Sequence, residues 1–267
     1  MKAAGEERKT TCQTPPPRAT LAAMKRPIPT LVLLSVFLAG SVFAEETATV
    51  APPAPPAPPA STVASDQNYA PRLNYQVYFD DYLALKKGKH FDLIFIGDSI
   101  TEQWRWGPGW PVWKKHFEDR ALDFGLGSDK TQHTLWRLQN VDLKAFGPKM
   151  ACILIGTNNT ADSPEDIAAG VKAVVEATRE KFAGVRIAVV SILPNARATD
   201  KMAAANQLIR PLADGKTVFY LDLAAKFTPT EGNWKGLGRD KLHLTAEGYE
   251  MWAAELEALL PQLRPVE

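Results

Sequence analysis

The sequence predicts an α/β fold: a flavodoxin-like, doubly wound α/β/α sandwich around a five-stranded parallel sheet. Three observations carry this expectation. Short runs almost continuous in apolar residues recur along the chain, as suits strands covered on both faces. Helical patterns lie between them, and strands alternating with helices imply a parallel sheet with right-handed crossovers. The unusual polar residues fall just after the apolar runs, where sites in such sheets form.

The elements follow in order. Residues 91–96, 121–124, 150–155, 185–192 and 217–222 read as the five strands. A helical pattern over 131–138 follows the second. Ser163-Pro164-Glu165-Asp166 opens a helix reaching about residue 182, with a capping hydroxyl, a proline at the first position and acidic residues in the first turn. Residues 198–213 and 245–260 supply two more helices.

Upstream of this body the composition changes. Met24-Lys25-Arg26 precedes an apolar stretch over 31–43, the length of a signal-peptide core, and Val42-Phe43-Ala44 suits a signal peptidase. Export with cleavage after Ala44 is therefore expected, a retained anchor being the alternative. Residues 1–23 precede this start and show no period, so Met24 is the expected first residue. The Ala- and Pro-rich stretch within 45–68 reads as a linker; its run over 51–60 would extend roughly 30 Å as polyproline II. The globular domain is assigned to 69–267.

Composition excludes several functions. The chain of 267 residues has a formal net charge of +1, the first 44 residues contributing +4 and the remainder −3. A mildly acidic body does not suit a nucleic-acid partner. The apolar run over 31–43 is too short to span a bilayer comfortably, and no membrane span is expected in the mature chain. Cys152 is the one cysteine beyond the leader and lies in an apolar run, which suits a buried core thiol and excludes an internal disulfide. Four histidines, His90, His116, His133 and His243, show no clustered ligand spacing, so neither metal nor cofactor is expected. His90 and His116 read as solvated, and His133 as a supporting residue behind the second loop.

The chemistry-bearing residues stand after the strands. Gly97-Asp98-Ser99 would place Ser99 at a helix start, where backbone N–H groups favour developing negative charge. Gly125-Leu126-Gly127-Ser128-Asp129 and Gly156-Thr157-Asn158-Asn159 follow the second and third strands. The N–H groups of Ser99 and Ser128 and the Asn158 amide could together hold an oxyanion. Asp240-Lys241-Leu242-His243 brings a carboxylate and an imidazole into one loop. A serine hydroxyl needs such a base, and an acid can fix the imidazole tautomer. Each piece alone also reads as an ordinary turn or helix cap.

The ordered set Gly-Asp-Ser-Ile, Phe-Gly-Leu-Gly, Gly-Thr-Asn-Asn and Asp-Lys-Leu-His-Leu resembles the SGNH (GDSL-type) hydrolases. The stretches over 95–100, 131–138 and 154–159 are similar to the small catalytic subunits of intracellular platelet-activating factor acetylhydrolase and their bacterial relatives. The resemblance implies Ser99 as nucleophile, His243 as base, Asp240 as its orienting acid, and Ser99, Ser128 and Asn158 as the oxyanion hole. Two positions depart from the family pattern. Ser128 stands where glycine is usual, which matters if the loop needs a positive φ. Asp123 stands where asparagine is usual, and a carboxylate cannot donate. Dimers occur in the family, which keeps a homodimer open.

Trp104, Trp106 and Trp234 stand near the motif residues in sequence and read equally as a substrate wall or as packing. No long apolar lid segment is present. The resulting expectation is a serine esterase that removes short acyl groups, chiefly acetyl, from an extracellular glycan or small ester. The alternatives are a phospholipid acetylhydrolase, a thioesterase, or a non-catalytic glycan-binding module on the same fold.

Overall fold

The computed structural model describes residues 57–66, 79–230 and 232–264. The expected leader and most of the linker lie outside them. Five strands form one parallel sheet: β1 Leu93–Gly97, β2 Ala121–Gly125, β3 Met150–Leu154, β4 Arg186–Val190 and β5 Val218–Leu221, in the order β2-β1-β3-β4-β5. This is the flavodoxin-like order expected. The register aligns the β1 and β2 ends, Gly97 beside Gly125, and sets Leu154 of β3 beside Gly97. The loops after these three strands therefore leave the sheet side by side.

Successive side chains of a strand point to opposite faces, and the core divides accordingly. Ile94, Ile96, Leu122, Phe124, Ile153 and Val189 face one apolar cluster. It is closed by helices α4 Thr131–Asn140, α5 Pro164–Lys181 and α6 Thr199–Ile209, with the helical segment α1 over 79–86 contributing Phe79. Leu93, Phe95, Cys152, Leu154 and Val190 face the other. There α3 Trp110–His116 and α8 Ala246–Leu263 pack. Two single-turn helices, α2 Ser99–Glu102 and α7 Ala224–Phe227, complete the set.

The helix starts follow the local chemistry read from the sequence. The Ser163 side chain accepts from the Asp166 N–H at the start of α5 (3.1 Å), and Thr245 accepts from the Gly248 N–H at the start of α8 (3.2 Å). The helix expected over 198–213 is shorter: α6 ends at Ile209 and the chain continues as a 3-10 turn, Arg210–Leu212, around Pro211.

Three expectations are corrected. Trp104 does not wall a substrate site. It is fully buried, with its ring centroid 4.5 Å from Tyr249, 5.2 Å from Trp252, 5.5 Å from Phe117 and 5.7 Å from Phe95. The α2 turn directs it into the second cluster, where its large apolar area is worth most. His116 is half-buried between Glu250 (3.4 Å) and Glu257 (3.7 Å) rather than solvated.

The third correction concerns the linker, whose end is docked. Ser61 is fully buried in a 3-10 turn, Ala60–Thr62. Its hydroxyl donates to the Asp166 carbonyl (2.7 Å), and its carbonyl accepts from the Thr131 hydroxyl (2.8 Å). Gly170 makes room: a Cβ there would lie 2.5 Å from Thr131 Oγ1 and 2.9 Å from the Ser61 carbonyl. Composition marked 45–68 as one tether, but these specific bonds fasten part of it to α4 and α5.

Cys152 is buried as expected, and burial pushes its thiol pKa up. Among the described residues no helix is long and apolar enough to cross a membrane.

Trp104→Ala is expected to destabilise the domain by about 3–5 kcal/mol in denaturant titration, the range for emptying a buried aromatic site. Trp106→Ala, at a position 48% exposed, should change stability by no more than about 0.5 kcal/mol.

Candidate active site

The β1 strand ends at Gly97 and turns directly into α2. A Cβ at Gly97 would lie 2.1 Å from Thr101 Oγ1 and 2.3 Å from the Leu154 carbonyl, so this sharp turn tolerates no side chain there. Asp98 caps α2 by accepting from the Ile100 N–H (3.0 Å), and Ser99 becomes the first helical residue. The Tyr249 hydroxyl, from α8, donates to the Ile100 carbonyl (2.7 Å) and fixes the turn from a distant part of the chain.

Ser99 Oγ lies 2.9 Å from His243 Nε2, and His243 Nδ1 lies 2.6 Å from Asp240 Oδ2. The other Asp240 oxygen accepts from the His243 N–H (3.1 Å) and the Leu242 N–H (3.1 Å). Burial alone would raise the Asp240 pKa, but hydrogen bonds from the His243 ring, the His243 backbone and the Leu242 backbone bring it below the ordinary carboxylate value. Lys241, between the two residues, is left-handed at φ +52°, which lets this short segment aim both side chains together. The three groups predicted from two distant motifs thus form one hydrogen-bonded line.

The second and third loops meet beside it. Asn158 Nδ2 donates to the Asp129 carbonyl (2.9 Å), which brings the amide next to Ser128. Ser128 is exposed and left-handed, at φ +63°. The loop does require the conformation that favours glycine, and serine bears that strain. The neighbouring Asn159 has a different task. It is fully buried, accepts from the Thr131 N–H (3.1 Å) and donates to Asp162 (2.8 Å), pinning the start of α4.

Beneath the site lies a buried charge network. Asp129 and Arg137, both fully buried, pair at 2.7 Å. Arg137 also donates to the carbonyls of Phe124 (2.9 Å) and Gly97 (3.4 Å). At the atypical position, Asp123 accepts from Arg105 Nε (3.2 Å) and from the Gly125 N–H (2.7 Å). Arg105 also donates to the Gly125 carbonyl (2.8 Å), lies 3.4 Å from Glu102 and covers the Tyr82 ring at 4.7 Å. Arg105 thus supplies donors that an aspartate lacks. Burial raises the Asp98 carboxyl to about 6 and that of Asp123 to about 7.

The sequence motifs contained Asp129 and Arg137 but gave them no role. Asn195 and Arg197, after β4, were missed: Arg197 Nη2 lies 3.3 Å from Asn158 Oδ1. His133 caps the start of α4, its Nδ1 accepting from the Lys130 N–H (3.0 Å). A hollow of about 510 Å³ opens beside His243, bordered by Gln103, Pro108, Asp240 and Leu244. Trp106 and Trp110 are exposed around the adjoining Gly107–Gly109 turn. Trp234 is half-buried, with Lys241 Nζ 5.5 Å from its ring centroid.

Residues 95–251 match the GDSL-like lipase/acylhydrolase family. The chain belongs to this family. Curated relatives include platelet-activating factor acetylhydrolase IB subunit alpha1 of Homo sapiens, 32% identical over 189 residues, covering 68% of this chain and 80% of the relative. The alpha2 subunit of Rattus norvegicus is 33% identical over 184 residues, covering 66% and 79%. Among solved structures, a GDSL-like lipase from Bacteroides thetaiotaomicron superposes with a TM-score of 0.54 at 18% identity, covering 71% of this chain and 98% of that one. Together these identify this GDSL-type acylhydrolase as an enzyme of ester-bond hydrolysis.

Ser128→Gly should relieve the left-handed strain and raise stability by about 0.5–1 kcal/mol, the offset from glycine's looser unfolded chain included. Denaturant titration measures the gain, and because the N–H is retained, kcat/KM should stay within about twofold.

Proposed function

We propose that the protein is an exported serine esterase that removes short acyl groups, chiefly acetyl, from a glycan or small ester outside the cytoplasm. The observation that carries the catalytic part is the unbroken line from Ser99 Oγ through the His243 ring to Asp240. His243 Nε2 takes the hydroxyl proton as Ser99 attacks the ester carbonyl carbon. The oxyanion is held by the N–H groups of Ser99 and Ser128 and by the Asn158 amide. As the tetrahedral intermediate collapses, His243 returns the proton to the leaving alcohol and an acyl-Ser99 remains. Water, deprotonated by the same imidazole, attacks this ester; the acid leaves, and the proton returns to Ser99.

Acetyl as the acyl group is supported by the curated relatives, which are named as acetylhydrolases. Export is supported by the basic and apolar pattern over 24–44. The exposed Trp106 and Trp110 beside the His243 hollow suit the apolar face of a sugar ring. A platelet-activating-factor-like phospholipid ester is the second reading, favoured by the identity to the same relatives.

Purified enzyme should hydrolyse p-nitrophenyl acetate. Ser99→Ala and His243→Ala should each lower kcat at least about 10³-fold, as expected for members of a catalytic unit. Equal rates in the wild type and Ser99→Ala would remove the serine mechanism. Acetate release from acetylated xylan, an acetylated phospholipid and acetyl-CoA separates the glycan reading from the phospholipid and thioesterase alternatives.

A further inference from the structure

The turn after β4 joins the two halves of the site. Asn195 is buried, and its Oδ1 accepts from the N–H groups of Arg197 (3.1 Å) and Ala198 (3.2 Å). The Ala196 N–H donates to the Lys241 carbonyl (3.1 Å), inside the segment that carries Asp240 and His243. Arg197 then reaches the opposite way. Its Nη2 donates to Asn158 Oδ1 (3.3 Å) and to the Thr157 carbonyl (3.4 Å).

A primary amide has one acceptor oxygen and two N–H donors. The guanidinium occupies the Asn158 oxygen, and the Asp129 carbonyl occupies one N–H. Turning the amide over would set its NH₂ group against a cation and its oxygen against a carbonyl. Both contacts are repulsive, so only one orientation persists, and it leaves the second N–H for an oxyanion. A cation on the amide oxygen also polarises the group and strengthens its N–H as a donor.

We propose that Arg197 is a positioning residue for ester hydrolysis, locking the Asn158 amide in its donating orientation. The inference rests on the reading of Asn158 as an oxyanion donor. Arg197 itself is exposed and touches no reacting atom, so it acts through the amide. It should therefore matter when negative charge develops on the substrate oxygen, and little when the neutral ester binds.

The test uses the full chain with p-nitrophenyl acetate, and phenylboronic acid as a mimic of the tetrahedral intermediate. Arg197→Ala should lower kcat about tenfold, below the 10²–10³-fold expected for Asn158→Ala, which removes a donor outright. KM should stay within about twofold, and boronate affinity should fall by the factor seen in kcat. Arg197→Lys should recover part of the loss. Arg197→Ala should add little in an Asn158→Ala background, since residues acting as a unit are not additive. A kcat within twofold of wild type in Arg197→Ala, or full additivity in the double variant, overturns the proposal. So does a rise in KM alone, which would make Arg197 a substrate-binding group. If Asn158→Ala is as active as the wild type, or Ser99→Ala retains full activity, the failure lies instead in the proposed esterase mechanism.

Discussion

The arrangement above depends first on one buried ion pair. Arg137 and Asp129 are both sealed from water and meet at 2.7 Å. Deleting either would strand the other charge in the interior, a loss of about 3–5 kcal/mol. The pair also has a geometric role. Arg137 holds the carbonyls of Gly97 at the end of β1 and Phe124 in β2, while the Asp129 carbonyl receives Asn158 from the loop after β3. Three strand ends are thereby gathered around one guanidinium. The Ser99 turn, the Ser128 loop and the Asn158 loop take their relative positions from it.

The same region holds more buried carboxylates than guanidinium groups. Asp98, Glu102, Asp123 and Asp129 are buried beside Arg105 and Arg137, and burial raises the first three above their ordinary range. Arg105 shows how a local departure is absorbed. An aspartate at the usual asparagine position brings no donor, and a guanidinium from the neighbouring turn supplies it while also holding the Gly125 carbonyl.

Much of this was legible in the sequence, for reasons that differ by element. The strands could be read because burial on both faces leaves nearly unbroken apolar runs. The caps at Ser163 and Thr245 are local, and the bonds they were expected to make are present. Ser99 and Asn158 could be placed because a parallel sheet puts the carboxyl ends of its strands on one edge, and Asp240 and His243 because their spacing and the family resemblance marked them. What escaped was set by tertiary geometry. Trp104 and Trp106 are two residues apart with similar chemistry, yet one is fully buried and the other 48% exposed. The bend between α2 and the Gly107–Gly109 turn decides between them. The left-handed backbone of Ser128 was foreseen only as a condition. Arg197 carries no motif, and its partner is 39 residues away in the chain. Ser61 sits in composition typical of a tether, and only its hydrogen bonds distinguish it.

The α8 helix makes the order of synthesis matter. It supplies Tyr249 to the Ser99 turn, and its cap, Thr245, lies two residues beyond His243. A growing chain holds Ser99 early, with neither His243 to bond its hydroxyl nor Tyr249 to hold its turn. Asp240, His243 and Tyr249 all follow β5 in the chain, so they are made after every strand of the sheet. Under the proposed mechanism, a nascent polypeptide that has not yet reached residues 240–249 is a hydroxyl without a base, inert toward any ester it meets.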